Sequence, residues 1–97
     1  MDALDRVLTV VETIPPGQVA SYGLVGEVAG VGPRQVGAIM AMYGSGVPWW
    51  RVTNRDGELP PDLTARAGEH WKAEGTPLRE GGRSVAMDAA GWRAECG

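Results

Sequence analysis

The sequence predicts a mainly α, single-domain fold of the winged helix-turn-helix kind, with a short hairpin or wing. Three observations predict it. Two short helical segments flank a three-residue glycine turn, Gly30-Val31-Gly32. An aromatic and β-branched run, Trp49 to Thr53, leads into a turn that ends on Gly57. The 97 residues suffice for one hydrophobic core and fall short of two ordinary domains.

The elements follow in order. Leu4, Val7, Leu8 and Val11 recur at helical spacing, with Asp2 as N-cap and Pro15 as the stop. Ile14-Pro15-Pro16-Gly17 is a turn, because a proline biases the residue before it away from the helical region. Gln18-Val19-Ala20 is a short extended piece, and Ser21 caps a helix over Tyr22 to Ala29. Pro33 at a first helical position opens the next helix, which Gly44-Ser45-Gly46 closes near Tyr43. The helix-turn-helix therefore covers about residues 21–43.

Trp49-Trp50-Arg51-Val52-Thr53 reads as a strand, and the turn at Arg55-Asp56-Gly57 carries it into a hairpin or wing reaching Leu59. Pro60-Pro61 breaks that run. Leu63, Ala67 and Trp71 share a helical face that stops at Gly75. Residues 76–97 are expected to add a short strand at Ser84 to Met87 and a loosely held end. The whole of 1–97 is read as one domain.

Composition narrows the function. Hydrophobic residues at 43% and charged residues at 22% are those of a soluble globular chain, with no apolar run long enough for a membrane span. The opening MDALDRVLTV lacks the pattern of a secretory signal, so a cytoplasmic location is expected, nucleoid-associated in a bacterium. One cysteine, Cys96, and one histidine, His70, argue against a disulfide framework or a structural metal. No metal, no cofactor and no membrane partner are expected, and the chain is read as a monomer. The net charge of -3 argues against nucleic acid until its distribution is considered. Residues 13–57 carry Arg34, Arg51 and Arg55 against Glu27 and Asp56, and eight of the nine basic residues are Arg, suited to planar and stacking contacts.

From Ile14 to Val52 the motifs fall in a recognisable order. Ile14-Pro15-Pro16-Gly17, Val19, Ser21-Tyr22-Gly23, Arg34-Gln35-Val36-Gly37, Met40 and Pro48 to Val52, with Glu74-Gly75 later, cover about half the chain. In this set the sequence resembles the DNA-binding domain of the O6-alkylguanine-DNA alkyltransferases. That family's repair site reads Pro-Cys-His-Arg-Val, whereas here the same positions read Pro48-Trp49-Trp50-Arg51-Val52. Alkyl removal needs a thiolate activated by a base, and an indole N–H is a donor only. Tryptophan in place of the cysteine is the mark of the alkyltransferase-like proteins, which the chain resembles more closely than the enzymes. The short length and an Arg83 to Trp92 segment similar to their C-terminal strand agree with that group.

The resemblance implies a non-enzymatic protein that binds O6-alkylguanine in double-stranded DNA and hands the site to nucleotide excision repair, through a UvrA-like partner. It also implies roles. Arg34 enters the duplex in place of the flipped nucleotide, beside Gln35, and Tyr22 presses on the target phosphate. Gly37, with Ala38 and Ala41, keeps the second helix slim enough for a minor groove about 6 Å wide, with close helix packing inside the domain as the alternative, for Gly37 and Ala41 in particular. Pro48, Trp49 and Val52 belong to the pocket, with Trp49 facing the base. Trp50 packs inward or reaches Glu74, and Arg51 is an ion-pair partner behind the site. The rim lies between Val52 and Leu63, where Pro60-Pro61-Asp62 departs from the enzymes, as Tyr43 does after the second helix. Arg55 and Arg66 are expected to be solvated charges.

Two other functions compete. A winged helix-turn-helix transcriptional regulator would share the architecture, but one arginine and one glutamine amid small apolar residues read base edges poorly. A transferase acting through Cys96 would need a thiol 47 residues beyond the family's position.

Overall fold

The computed structural model describes residues 2–93. Helix α1 spans Ala3–Thr13, and the Asp2 carboxylate caps it by accepting the Asp5 N–H at 3.0 Å. Its inner face buries Val7 and Val11, and the chain leaves it through buried Ile14. Strand β1, Ala20–Ser21, runs directly into helix α2, Tyr22–Ala29. Ser21 both ends the strand and caps the helix, its Oγ accepting the Leu24 N–H at 3.1 Å.

The glycine turn between the paired helices is as tight as the sequence predicts. Gly30 adopts the left-handed conformation at φ 79°. The Gly26 carbonyl accepts the N–H groups of both Gly30 and Val31 at 2.8 Å. A Cβ on Gly26 would sit 2.5 Å from the Val31 carbonyl oxygen, so only glycine lets the turn fold back so closely. Helix α3, Pro33–Tyr43, starts with proline at its first position and buries Val36 and Ile39 against α1 and α2.

The expected mainly helical, winged-helix-like fold is what forms, but its strand pairing differs from the expectation. Trp49–Arg51 is one 3-10 turn and not a strand. The Trp50 carbonyl accepts the buried Trp71 indole N–H at 2.7 Å, and the Arg51 N–H bonds back to Pro48, which together fix the turn. Strand β2 is only Val52–Thr53, and it pairs in parallel with β1, Ala20 opposite Val52 and Ser21 opposite Thr53. No ladder runs on to Leu59, because Asn54 closes a loop of its own: its Oδ1 accepts the N–H groups of Asp56 and Glu58.

Helix α4, Pro61–Glu74, begins after the proline break and ends on left-handed Gly75. Beyond it, Leu78 and Val85 form one antiparallel bridge around the 79–84 loop, and Met87–Ala90 is a short helix, α5. The strand expected at 84–87 is thus a single bridge. Nor are residues 85–92 loose. Val85 is fully buried, and the Val19 backbone bonds Ala90 and Trp92 at 2.9 and 2.8 Å.

Two apolar clusters result. One unites α1, α2, α3 and Val52; the other gathers Val19, Ala67, Val85 and Ala90 around Trp71, which is completely buried. The Trp49–Arg51 turn packs its two tryptophans against the second cluster, and Arg51 ties it to Ile14 of the first.

Candidate nucleic-acid interface

Helix α3 divides sharply between its two faces. Val36 and Ile39 are buried, while Arg34, Gln35, Ala38, Ala41 and Met42 are exposed. Arg34 projects from the first turn, where backbone N–H groups lack helical partners and favour a nearby anion. A Cβ on Gly37 would meet no atom within 4 Å. Close packing therefore does not account for Gly37, and Ala41 is exposed and borders the cavity. Around Gly37, Ala38 and Ala41 the outward face therefore carries little side-chain bulk, with Arg34 and Gln35 at its start and exposed Met42 at its end.

Below this face lies a cavity of about 240 Å³. Tyr22 and Gly37 border it on the helix-turn-helix side, Trp49 and Val52 line its wall, and Leu59, Pro60, Leu63 and Arg66 close the far side. It is smaller than the roughly 300–1,000 Å³ of pockets for drug-sized ligands. That is the scale of one flat heterocycle. The Arg66 guanidinium sits 5.6 Å from the centre of the Trp49 ring, within cation–π range. Tyr22, at the start of α2, is half-buried, and burial pushes its phenol above the ordinary tyrosine value. It therefore presents a neutral hydroxyl at physiological pH. A larger, open cleft of about 950 Å³ lies on the other side of Leu59 and Pro60, between the Asn54–Glu58 loop and Arg83.

The wall is held from behind by a polar cluster centred on Glu74. Its carboxylate accepts the Trp50 indole N–H at 3.0 Å, the Arg51 Nε–H at 3.1 Å and the Gly17 backbone N–H at 3.2 Å. Arg51 also donates to the Ile14 carbonyl at 3.0 Å, which ties the turn to the end of α1. Burial raises the Glu74 pKa, but the hydrogen bonds from Arg51, Trp50 and Gly17 outweigh it and hold the carboxyl below its ordinary value. The site thus has a largely apolar, aromatic front and a charged back whose carboxylate oxygens are both hydrogen-bonded.

Residues 2–76 match the family described as 6-O-methylguanine DNA methyltransferase, DNA binding domain. The chain belongs to this family. Within it, a DNA base-flipping protein of Escherichia coli strain K12 is 39% identical over 85 residues, covering 80% of this chain and 65% of the relative. The chain thus spans just under two thirds of that protein. A DNA base-flipping protein of Vibrio parahaemolyticus is 32% identical over 97 residues, covering 93% of this chain and 95% of the relative. Among solved structures, S. pombe Atl1 in complex with damaged DNA containing O6-carboxymethylguanine superposes with a TM-score of 0.79 at 26% identity, covering 95% of both chains. A second complex of the same S. pombe protein with DNA gives 0.77 at 26% identity and 94% coverage of both. Together these make the chain an alkyltransferase-like member of the methyltransferase DNA-binding family.

Against that family background the predicted residues separate into four places. Tyr22, Gly37, Trp49 and Val52 meet at the cavity. Arg34 and Gln35 stand on the open face of α3, and Trp50 and Arg51 lie behind the wall with their polar atoms committed to Glu74. Pro48 sits at the entry to the 3-10 turn. Arg66 is exposed, as expected, and one helical turn after Leu63 on α4 its guanidinium also lies over the Trp49 ring. Arg55 is exposed, as expected. Met40 also lines the cavity, a role not expected of it, and His70 on α4 lies against Trp49 and Trp50 without lining the cavity, although Leu63, Arg66 and His70 at helical spacing are a readable signal for one shared face. Cys96 lies outside the described residues.

Proposed function

We propose that this chain is a non-enzymatic sensor of O6-alkylguanine in double-stranded DNA. The observation that carries the reading is a base-sized cavity walled by Trp49, opening beside Tyr22 and the slim outer face of α3. In the proposed complex α3 enters the minor groove, which Gly37, Ala38 and Ala41 leave room for. Arg34 fills the gap left in the stack while Tyr22 helps to turn the nucleotide outward. Flipping costs a few kcal/mol and least for a damaged pair, which favours the lesion before any pocket contact is made. The base then lies against Trp49, with Arg66 over the far side of that ring. The names of the bacterial relatives and the damaged DNA bound by S. pombe Atl1 support this reading.

No alkyl transfer follows in this scheme. Trp49 stands at the family's acceptor position and offers a donor without a nucleophilic lone pair, and Trp50 replaces the activating base. A bound, unrepaired lesion serves as a signal, and we assign its hand-over to nucleotide excision repair through a UvrA-like protein. With few basic residues on the contact face, binding should neutralise only about two to four phosphates and show a shallow salt dependence.

Equilibrium titration with a duplex carrying one O6-methylguanine, against its unmodified twin, tests the proposal. Clearly tighter binding to the damaged duplex is expected. Equal affinities would overturn it.

A further inference from the structure

His70 is the single histidine of the chain and lies on α4, one turn after Arg66 and one turn before Glu74. Its ring stacks on Trp50 with centroids 3.6 Å apart and planes only 6° from parallel. It meets Trp49 edge-on, at 5.9 Å and 81°, while Trp49 and Trp50 cross at 5.7 Å and 85°. Two parallel rings thus hold the third perpendicular to both.

The three rings are not equally fixed. Trp50 is anchored by its indole bond to Glu74 and by its carbonyl bond from Trp71. Trp49 has no hydrogen bond from its indole among the described residues, so the neighbouring rings and Arg66 set its orientation. His70 makes ring contacts with both tryptophans and does not itself line the cavity. Removing His70 takes away the edge-on contact at 5.9 Å that it makes with the Trp49 ring.

We infer that His70 is a positioning residue for recognition of the alkylated base: stacked on Trp50, it fixes the angle at which Trp49 faces the pocket. The inference rests on the proposed lesion-sensing function. A flat wall discriminates an alkylated purine from guanine only if the wall stays in place, because a contact that swings loses its geometric selectivity. Nothing in this role needs the imidazole to exchange a proton. It needs a flat ring of about that size, and another aromatic ring supplies the same stack.

The test compares wild type, His70→Ala and His70→Phe, each titrated with an O6-methylguanine duplex and with its unmodified twin, alongside thermal unfolding. His70→Ala should lower the damaged-to-undamaged affinity ratio by roughly three- to tenfold, the range an aromatic pair is worth beyond its area. His70→Phe should restore most of it. A purely structural role would lower the melting temperature and leave the ratio of the folded protein unchanged. If His70→Ala does not fold, His70→Gln, which keeps bulk without an aromatic face, takes its place in the comparison. A wild-type ratio in the non-aromatic variant overturns the inference alone, as does a His70→Phe ratio that falls equally far. A ratio of one for the wild-type protein overturns the lesion-sensing reading itself, and the inference with it.

Discussion

The Arg51 guanidinium lies fork against fork on the Glu74 carboxylate, Nε to Oε1 at 3.1 Å and Nη2 to Oε2 at 2.5 Å, with both side chains only 14% exposed. A bidentate pair this far out of water orders both partners. Removing one partner strands the other. Glu74→Ala should therefore cost about 2–3 kcal/mol, somewhat less than the roughly 3–5 kcal/mol of a fully buried pair, as read from denaturant unfolding.

The same carboxylate gives a pH dependence whose sign is fixed. Hydrogen bonds hold the folded pKa of Glu74 below its ordinary 4.5, so the unfolded chain takes up the proton first as pH falls. The stabilisation is complete above the unfolded value and disappears as pH drops through the folded one. Glu74→Gln should flatten the stability profile below about pH 4.5 relative to wild type, in parallel unfolding series. Identical slopes in the two proteins would contradict the assigned hydrogen bonding.

Gly37 separates groove entry from internal packing. Since a Cβ there meets nothing, Gly37→Ala should stabilise the helix by about 0.5–1 kcal/mol. Gly37→Leu should still fold yet bind DNA markedly less, because the added bulk stands on the slim face. Unfolding midpoints and duplex titrations of both variants check this pair of outcomes. Loss of folding in Gly37→Ala would point to packing.

Arg34 is exposed, and its removal should change stability by no more than about 0.5 kcal/mol. Arg34→Ala should nevertheless weaken binding to the damaged duplex by about 1–3 kcal/mol, a share of the flipping cost that the side chain offsets. Tyr22→Phe should do less. A fluorescent base opposite the lesion, brighter when unstacked, reports the flipping step in both variants.

Gly57 anchors the loop beside the pocket. Its φ is 79°, and a Cβ would lie 2.2 Å from the Val85 carbonyl oxygen, whose neighbouring N–H donates to Gly57. Gly57→Ala should destabilise the protein by at least about 1–3 kcal/mol, since backbone strain and a clash coincide. Circular dichroism during thermal unfolding measures it.

Legibility in the sequence followed the range of the forces involved. Caps and stops act over three or four residues, so Asp2, Ser21, Gly30, Pro33 and Gly75 marked their helices correctly. The β1–β2 pairing did not show, because two-residue strands 32 positions apart leave no periodic trace. Trp49 to Thr53 has strand composition, yet Trp71 and Glu74, from another helix, bend its first three residues into a turn. For Trp50 the sequence offers an inward position or a reach to Glu74, and for Arg51 an ion pair; both side chains bond Glu74. His70 escaped notice because its partner Trp50 is 20 residues away and the contact is made through ring faces, which no short motif records.

The central claim is that the protein holds an alkylated guanine and leaves it alkylated. A duplex with a tritium-labelled methyl group on one guanine O6 is incubated with the protein, the complex is isolated, and its DNA and protein are separated under denaturing conditions and counted. Label recovered in the complex and entirely on the DNA strand is the predicted result. Label transferred to the polypeptide, or a damaged duplex that forms no more complex than an undamaged competitor, would contradict the account.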